Sequence, residues 1–213
     1  MNESDREFLF TKAKLKKMKK NDIILRKGRV QRKLIILLSG TLTLKKYKYS
    51  GQRNVFMVVR DGFVLPINKV IYEELSDFDL ILNEDSFFVE IERSDIQGLM
   101  RKSTSFCMSI IEYMNMAFNL QEEFISILNG RSNINKVAWS LYIVFDGYRG
   151  VGAKVSHIPI SQDIIADNLG LSRQTANETL GILQEGGIIS VSRSNIKLID
   201  RAKLEMMIHE EFH

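Results

Sequence analysis

Apolar and polar positions change rhythm twice along this chain. From residue 21 to about residue 96 the apolar residues come in short runs. Lys33 to Leu44 holds the aliphatic run Leu34-Ile35-Ile36-Leu37-Leu38, then Ser39-Gly40, then the alternating Thr41-Leu42-Thr43-Leu44. Asn54 to Val59 is another strand candidate, closed by Asp61-Gly62, and Phe78 to Leu82 and Phe87 to Ile91 flank the turn-forming Asn83-Glu84-Asp85. Short strands punctuated by turn residues predict a compact antiparallel sandwich or barrel.

Near Arg93 the period lengthens. Thr104 to Asn129 contains no Gly or Pro, and Cys107, Ile111, Met114, Phe118, Gln121, Ile125 and Leu128 step by four and three, with Gln121 the one polar interruption. Ile110, Tyr113, Ala117, Leu120, Phe124 and Ile127 form a second seam with the same spacing. A helix that is apolar on two sides must bury both. The economical arrangement packs one seam on the β-domain and the other on a copy of the same helix, so the first seam is the expected dimerisation surface. A helix buried wholly within one chain is the alternative. Asn129-Gly130 is the natural stop.

A shorter helix is expected from about Asn133 to Asp146, containing Trp139, followed by a loop from Gly147 to Gly152. The second change of rhythm follows, in the stretch ISQDIIADNLGLSRQTANETLGILQE at 160–185. Ser161 is placed to cap a helix whose buried face is Ile164, Ile165 and Leu169. Gly170 stands where a tight turn needs positive φ. Ser172 is placed to cap a second helix, in which Ala176, Leu180 and Leu183 form an inward stripe. Arg173, Gln174, Asn177 and Glu178 are left on another face near its N-terminus. This is helix–turn–helix spacing, and in DNA-binding examples those early polar residues reach base edges in the major groove. Gly186-Gly187 ends the helix. Ile188 to Val191 and Ile196 to Ile199 then predict a hairpin around Ser192-Arg193-Ser194-Asn195, which makes the unit a winged helix.

The chain has 213 residues, 45% hydrophobic and 26% charged, enough apolar material for one large or two small domains. The aliphatic run at Leu34 is far below the roughly 20 residues needed to cross a bilayer, and Met1-Asn2-Glu3-Ser4-Asp5 opens no secretory signal. No membrane association is expected, and the cytoplasm is the expected compartment. Cys107 is the only cysteine, which excludes an intrachain disulfide and cysteine-built metal centres within one chain. Residues 1–33 carry 12 Lys/Arg against 4 Asp/Glu, residues 61–129 carry 4 against 13, and residues 130–213 carry 9 of each. The basic start fits an anionic partner, but Lys12 to Lys20 reads more simply as a solvated helix face or a flexible arm. His157, His209 and His213 are the only histidines. None lies in a nucleophile motif, and there is no P-loop and no HExxH, so no enzyme is expected.

The pattern LGLSRQTANETLGILQEGGIIS closely resembles the DNA-binding domain of the Crp/Fnr-type bacterial transcription regulators. The resemblance covers nearly the whole chain, with LIILLSGTLTL at Leu34 to Leu44 matching the strand–Ser-Gly–strand segment of their jelly roll. It implies an α+β architecture. Residues 1–103 form a jelly-roll domain like those that bind cyclic nucleotides, residues 104–130 a dimerisation helix, and residues 131–213 a winged helix–turn–helix. It implies a homodimer reading double-stranded DNA at an inverted repeat, with RNA polymerase as a further partner if the protein activates. By resemblance, Ser172 and Thr175 contact phosphate, and Arg173, Gln174, Asn177 and Glu178 fall on base-reading positions. Ser161, Gln162 and Arg193 complete the expected DNA-facing set.

Glu178 departs from the family, whose best-known members carry arginine there. A carboxylate accepts from cytosine N4 but repels phosphate, so the familiar half-site is not assumed. Glu178 otherwise points to solvent or pairs with Arg173. Such a residue, with the neutral C-terminal domain, leaves open an interaction module of the same fold that has lost DNA binding. The β-domain departs further. In Asp61 to Phe78 no Glu stands near Gly62, and no arginine occurs between Asp61 and Glu92, leaving Lys69 as the one cation for a cyclic phosphate. Cyclic nucleotide is therefore not expected. Neither is an iron–sulfur cluster, with one cysteine, nor haem, with no histidine before His157. Cys107 reads as a packing residue more than a redox switch. An unidentified small-molecule effector in the altered pocket stays open.

Overall fold

A computed structural model describes residues 1–47, 53–130, 132–148 and 152–209. The chain opens with α1 (Glu3–Lys12), then runs through β1 (Lys14–Met18), β2 (Ile23–Leu25), β3 (Lys33–Ser39), β4 (Thr41–Tyr47), β5 (Arg53–Arg60) and β6 (Val64–Leu65). A short helix, α2 (Ile67–Tyr72), precedes β7 (Phe78–Leu82) and β8 (Ser86–Glu92). Helices α3 (Arg93–Lys102), α4 (Thr104–Gly130) and α5 (Asn133–Asp146) follow. The C-terminal part is β9 (His157–Ile158), α6 (Gln162–Leu169), α7 (Arg173–Glu185), β10 (Ile189–Ser192), β11 (Asn195–Leu198) and α8 (Arg201–His209). Arg149, Gly150 and Val151 of the expected loop, and His213, lie outside the described residues.

The N-terminal strands form two antiparallel sheets, ordered β1-β8-β3-β6 and β2-β7-β4-β5. Their inner faces share one core, in which Ile35, Leu37 and Phe88 of the first sheet join Leu42, Leu80 and Leu82 of the second. On β3 the run Leu34 to Leu37 is apolar throughout because both faces of the strand are covered. Ile35 and Leu37 point into the jelly roll, whereas Leu34 and Ile36 pack under a second cluster with Ile96, Leu99, Phe106 and Ile110 of the helices. The α+β jelly roll, long helix and C-terminal winged helix are thus the observed architecture.

Lys12 to Lys20 is neither a helix face nor an arm over most of its length. Lys12 ends α1, and Lys14 to Met18 pair with β8 from Lys14↔Glu90 to Met18↔Ser86. The lysine side chains stay exposed on this edge strand, where charge opposes pairing with another sheet. The helices α1, α2, α3 and α8 were not legible from periodicity. Ser161 occupies the N-cap of α6, but its side chain makes no capping bond; its backbone carbonyl accepts from Ile164 and Ile165 instead.

The C-terminal domain is built around α5, whose Val137, Ala138, Leu141 and Phe145 are fully buried. Helices α6, α7 and α8 pack on it, and the three-stranded sheet β10-β11-β9 closes one side. Trp139 stacks on Phe124 of α4, with ring centroids 5.8 Å apart, which ties the long helix to this domain. Among the described residues no helix is long and apolar enough to cross a membrane.

Candidate nucleic-acid interface

The turn between α6 and α7 is set by Gly170, which ends α6 at φ 66°. Left-handed backbone of this kind strains other residues, and it lets the Leu171 N–H return to the Ala166 carbonyl at 2.9 Å. Two residues on, Ser172 caps α7: its Oγ accepts from the Thr175 N–H at 3.0 Å. The two hydroxyls lie 2.8 Å apart. Ala176, Leu180 and Leu183 are buried at 0–1% exposure, which fixes the rotation of the helix. That rotation leaves Arg173, Gln174, Asn177 and Glu178 in solvent. The first turn of α7 carries no acidic residue, and its free N–H groups make a helix N-terminus suited to a phosphate.

Three of the four polar residues of this face already have partners. Arg173 reaches back across the turn, Nε to Asp163 Oδ1 at 3.1 Å. Gln174 Nε2 donates to Glu178 Oε1 at 2.9 Å. Glu178 stays exposed and does not pair with Arg173; one helical turn brings it to Gln174, while Arg173 lies nearer α6. Ser172, Arg173, Gln174, Thr175 and Glu178 thus gather at the start of α7. Ser161, Gln162, Asn177 and Arg193 have no side-chain hydrogen bond to that group. Ser161 and Gln162 are half-buried at the start of α6, and Arg193 is exposed at the hairpin tip, where Ser192 pairs with Asn195.

Three residues here escaped the sequence reading. Asp163 orients Arg173. Gln184 Oε1 accepts from the Val191 N–H at 2.8 Å and so holds the wing to α7. Lys197 is exposed on the wing between buried Ile196 and Leu198, a placement that strict alternation in β11 signals.

The two seams of α4 meet different surroundings. Ile110, Leu120 and Ile127 are buried against the chain's own domains. On the other seam Ile111, Phe118 and Ile125 are 57–58% exposed and Met114 40%, with Gln121 exposed among them. The ends of that seam turn inward: Leu128 packs against the core, and the partly buried Cys107 donates its thiol to the Met100 carbonyl at 3.1 Å.

In the β-domain, a cavity of about 290 Å³ lies between α2, β4, β5 and α4. Lys46, Lys69, Asp77, Asn68, Tyr113 and Gln121 are its polar lining. Lys69 is bonded to Glu74 at 2.8 Å and lies 3.8 Å from Asp77, which Lys46 meets at 3.1 Å. The Glu74 carboxylate holds the Lys69 ammonium above its ordinary pKa. The one cation on α2 is therefore occupied by carboxylates, and Asp77 adds a negative charge beside it. This donor set does not fit a cyclic phosphate diester.

Residues 15–103 match the family described as cyclic nucleotide-binding domain, and residues 135–207 match the Crp-like helix-turn-helix domain. The anaerobic regulatory protein of Pasteurella multocida is 23% identical over 191 residues, 89% of this chain and 70% of that protein. The regulatory protein HlyX of Actinobacillus pleuropneumoniae is 25% identical over 195 residues, 86% of this chain and 77% of that protein. Among solved structures, FixK2 from Bradyrhizobium japonicum superposes with a TM-score of 0.75 at 17% identity, covering 92% of this chain and 96% of its own. A transcriptional regulator of the CRP/FNR family from Thermus thermophilus gives 0.70 at 16% identity, covering 92% and 98%.

Proposed function

This chain belongs to the Crp/Fnr family of DNA-binding transcription regulators, and we propose that it works as a cytoplasmic homodimer that reads an inverted-repeat operator. The observation that carries this reading is the start of α7, where Arg173, Gln174, Asn177 and Glu178 face solvent behind a capped, unobstructed helix N-terminus. Arg173 has the fork geometry for guanine and Gln174 for adenine, with Ser172 and Thr175 beside the phosphates. Asn177 and Glu178 continue the base-reading face, and Ser161, Gln162 and Arg193 flank it.

The exposed seam of α4 supports the dimer. Ile111, Met114, Phe118 and Ile125 form an apolar stripe too long to leave in water, and self-association buries it two-fold symmetrically. Two recognition helices then enter successive major grooves, about 34 Å apart. We assign no control by cyclic AMP, because Glu74 and Asp77 already occupy Lys69.

The test is selection of binding sites from random duplex DNA with purified protein and no added nucleotide. Recovery of an inverted repeat is the expected result, with affinity unchanged by cyclic AMP. Recovery of no enriched sequence, at low salt as well, sinks the reading.

A further inference from the structure

Arg60 ends β5 and so belongs to the β-domain, yet it is 8% exposed and turned toward the DNA-binding domain. Its Nη1 donates to the Val144 carbonyl at 3.0 Å and to the Ala153 carbonyl at 2.9 Å. Its Nη2 donates to Asp61 Oδ1 at 2.6 Å, and Asp61 Oδ2 accepts from the Ala153 N–H at 3.0 Å. Val144 lies in the last turn of α5, where carbonyls lack partners within the helix and where the negative end of the helix dipole favours a cation. The Ile143 carbonyl is taken by Gly147 N–H, and the Phe145 carbonyl by Val155 N–H. Arg60 thus supplies the Val144 cap from the other domain. Gly152 makes the approach feasible: at φ 87°, a Cβ there would stand 3.0 Å from the Asp61 carbonyl oxygen.

We propose that Arg60 and Asp61 form an interdomain latch that holds the DNA-binding domain in the orientation competent to bind DNA. Helices α6, α7 and α8 all pack on α5, so fixing the C-terminal end of α5 fixes the whole reading unit. Helix α6 also lies against β5. In this latched arrangement the start of α7 stays exposed, so the β-domain sits behind the reading face and does not cover it. Charge-assisted bonds from a buried guanidinium, three of them here, are costly to break one at a time, which gives the latch its stiffness. Met57 and Phe63 stand three residues either side of Arg60, and both line the β-domain cavity as well as the apolar crevice between the domains. Anything that moves them moves the latch.

The test compares wild type with Arg60→Gln and with Gly152→Ala, which acts on the latch from its other side. Spin labels at Lys16→Cys on β1 and Ala202→Cys on α8, in a Cys107→Ser background diluted with unlabelled chain, report the distance between domains without DNA. Wild type should give one narrow distance. Both variants should broaden it and weaken binding to the selected operator about tenfold, a loss of about 1.4 kcal/mol, with the preferred sequence unchanged. An unchanged distance in a folded variant overturns the latch; if Arg60→Gln fails to fold, Gly152→Ala still decides. A broadened distance with equal or tighter operator binding overturns the assignment of the latched orientation as the competent one. The operator readout rests on the DNA-reading function proposed above, whereas the distance readout does not, so failure of one is distinguishable from failure of the other.

Discussion

Gln174 donates its side-chain amide to Glu178 one turn further along α7, Nε2 to Oε1 at 2.9 Å. The bond leaves the carboxylate of the reading face paired with a neutral group, so its negative charge remains to meet approaching phosphate. Replacing it by Glu178→Gln should raise affinity for all duplex DNA and change the preferred base at one position of each half-site. Repeating the site selection and measuring Kd at two salt concentrations checks this. An identical half-site and identical Kd would show that Glu178 faces away from the DNA.

Among the described residues Arg173 is held only by Asp163, at 3.1 Å in an exposed pair, and such pairs exchange partners at little cost. Arg173→Ala should therefore lose about 1–3 kcal/mol of discrimination at a single base pair, leaving the others intact. Competition binding with single-substitution operators measures it. Equal discrimination at every position would remove Arg173 from base reading.

Phe118 is 58% exposed at the middle of the free seam of α4. Phe118→Glu should dissociate the dimer without unfolding the protomer, since burying a side chain of this size contributes about 1.5–3 kcal/mol and two copies meet. Sedimentation equilibrium should give a monomer with unchanged helical circular dichroism. A persisting dimer would place the interface elsewhere.

The Tyr113 hydroxyl accepts from the Val64 N–H at 2.8 Å and donates to the Val64 carbonyl at 3.0 Å, pinning α4 to β6. Burial pushes its phenol up to about 12, partly offset by the Val64 bond. A pKa raised in the folded state means that the stability is present below the unfolded value near 10 and is lost as pH climbs from 10 to 12. The loss is about 2–3 kcal/mol across that window. Denaturant unfolding at pH 9, 10 and 11 should show a steeper fall for wild type than for Tyr113→Phe. Parallel curves would mean that Tyr113 ionises without consequence for the fold.

Much of this architecture is legible in local patterns. The two seams of α4 are readable because their spacing repeats over about six turns in one and about five in the other, and the structure separates them into a buried and an exposed side. The α6–α7 unit is readable because Gly170 and Ser172 do local work, a left-handed turn and a cap, that depends on no distant residue. The strand β1 was not readable. Nothing in Lys14 to Met18 alternates, and what makes it a strand is a backbone ladder with β8, some seventy residues away. Helices α1 and α3 hide for the same reason: a few residues, Phe8, Leu9, Ile96 and Leu99, touch the outer face of a sheet that local sequence does not reveal.

At the reading face the sequence by itself determined which side chains face outward, because the apolar stripe Ala176, Leu180 and Leu183 can point only to the core. Only the tertiary structure decided how they are engaged: Arg173 with Asp163 across a turn, and Glu178 with Gln174. Arg60 is the sharper case. Its type and position say nothing of its role, which exists only because folding brings the end of β5 against the end of α5, 84 residues on. Periodicity encodes which face of an element is buried, since that follows from the helix or strand repeat. Pairing between distant elements follows from their packing in space, and no local repeat records it.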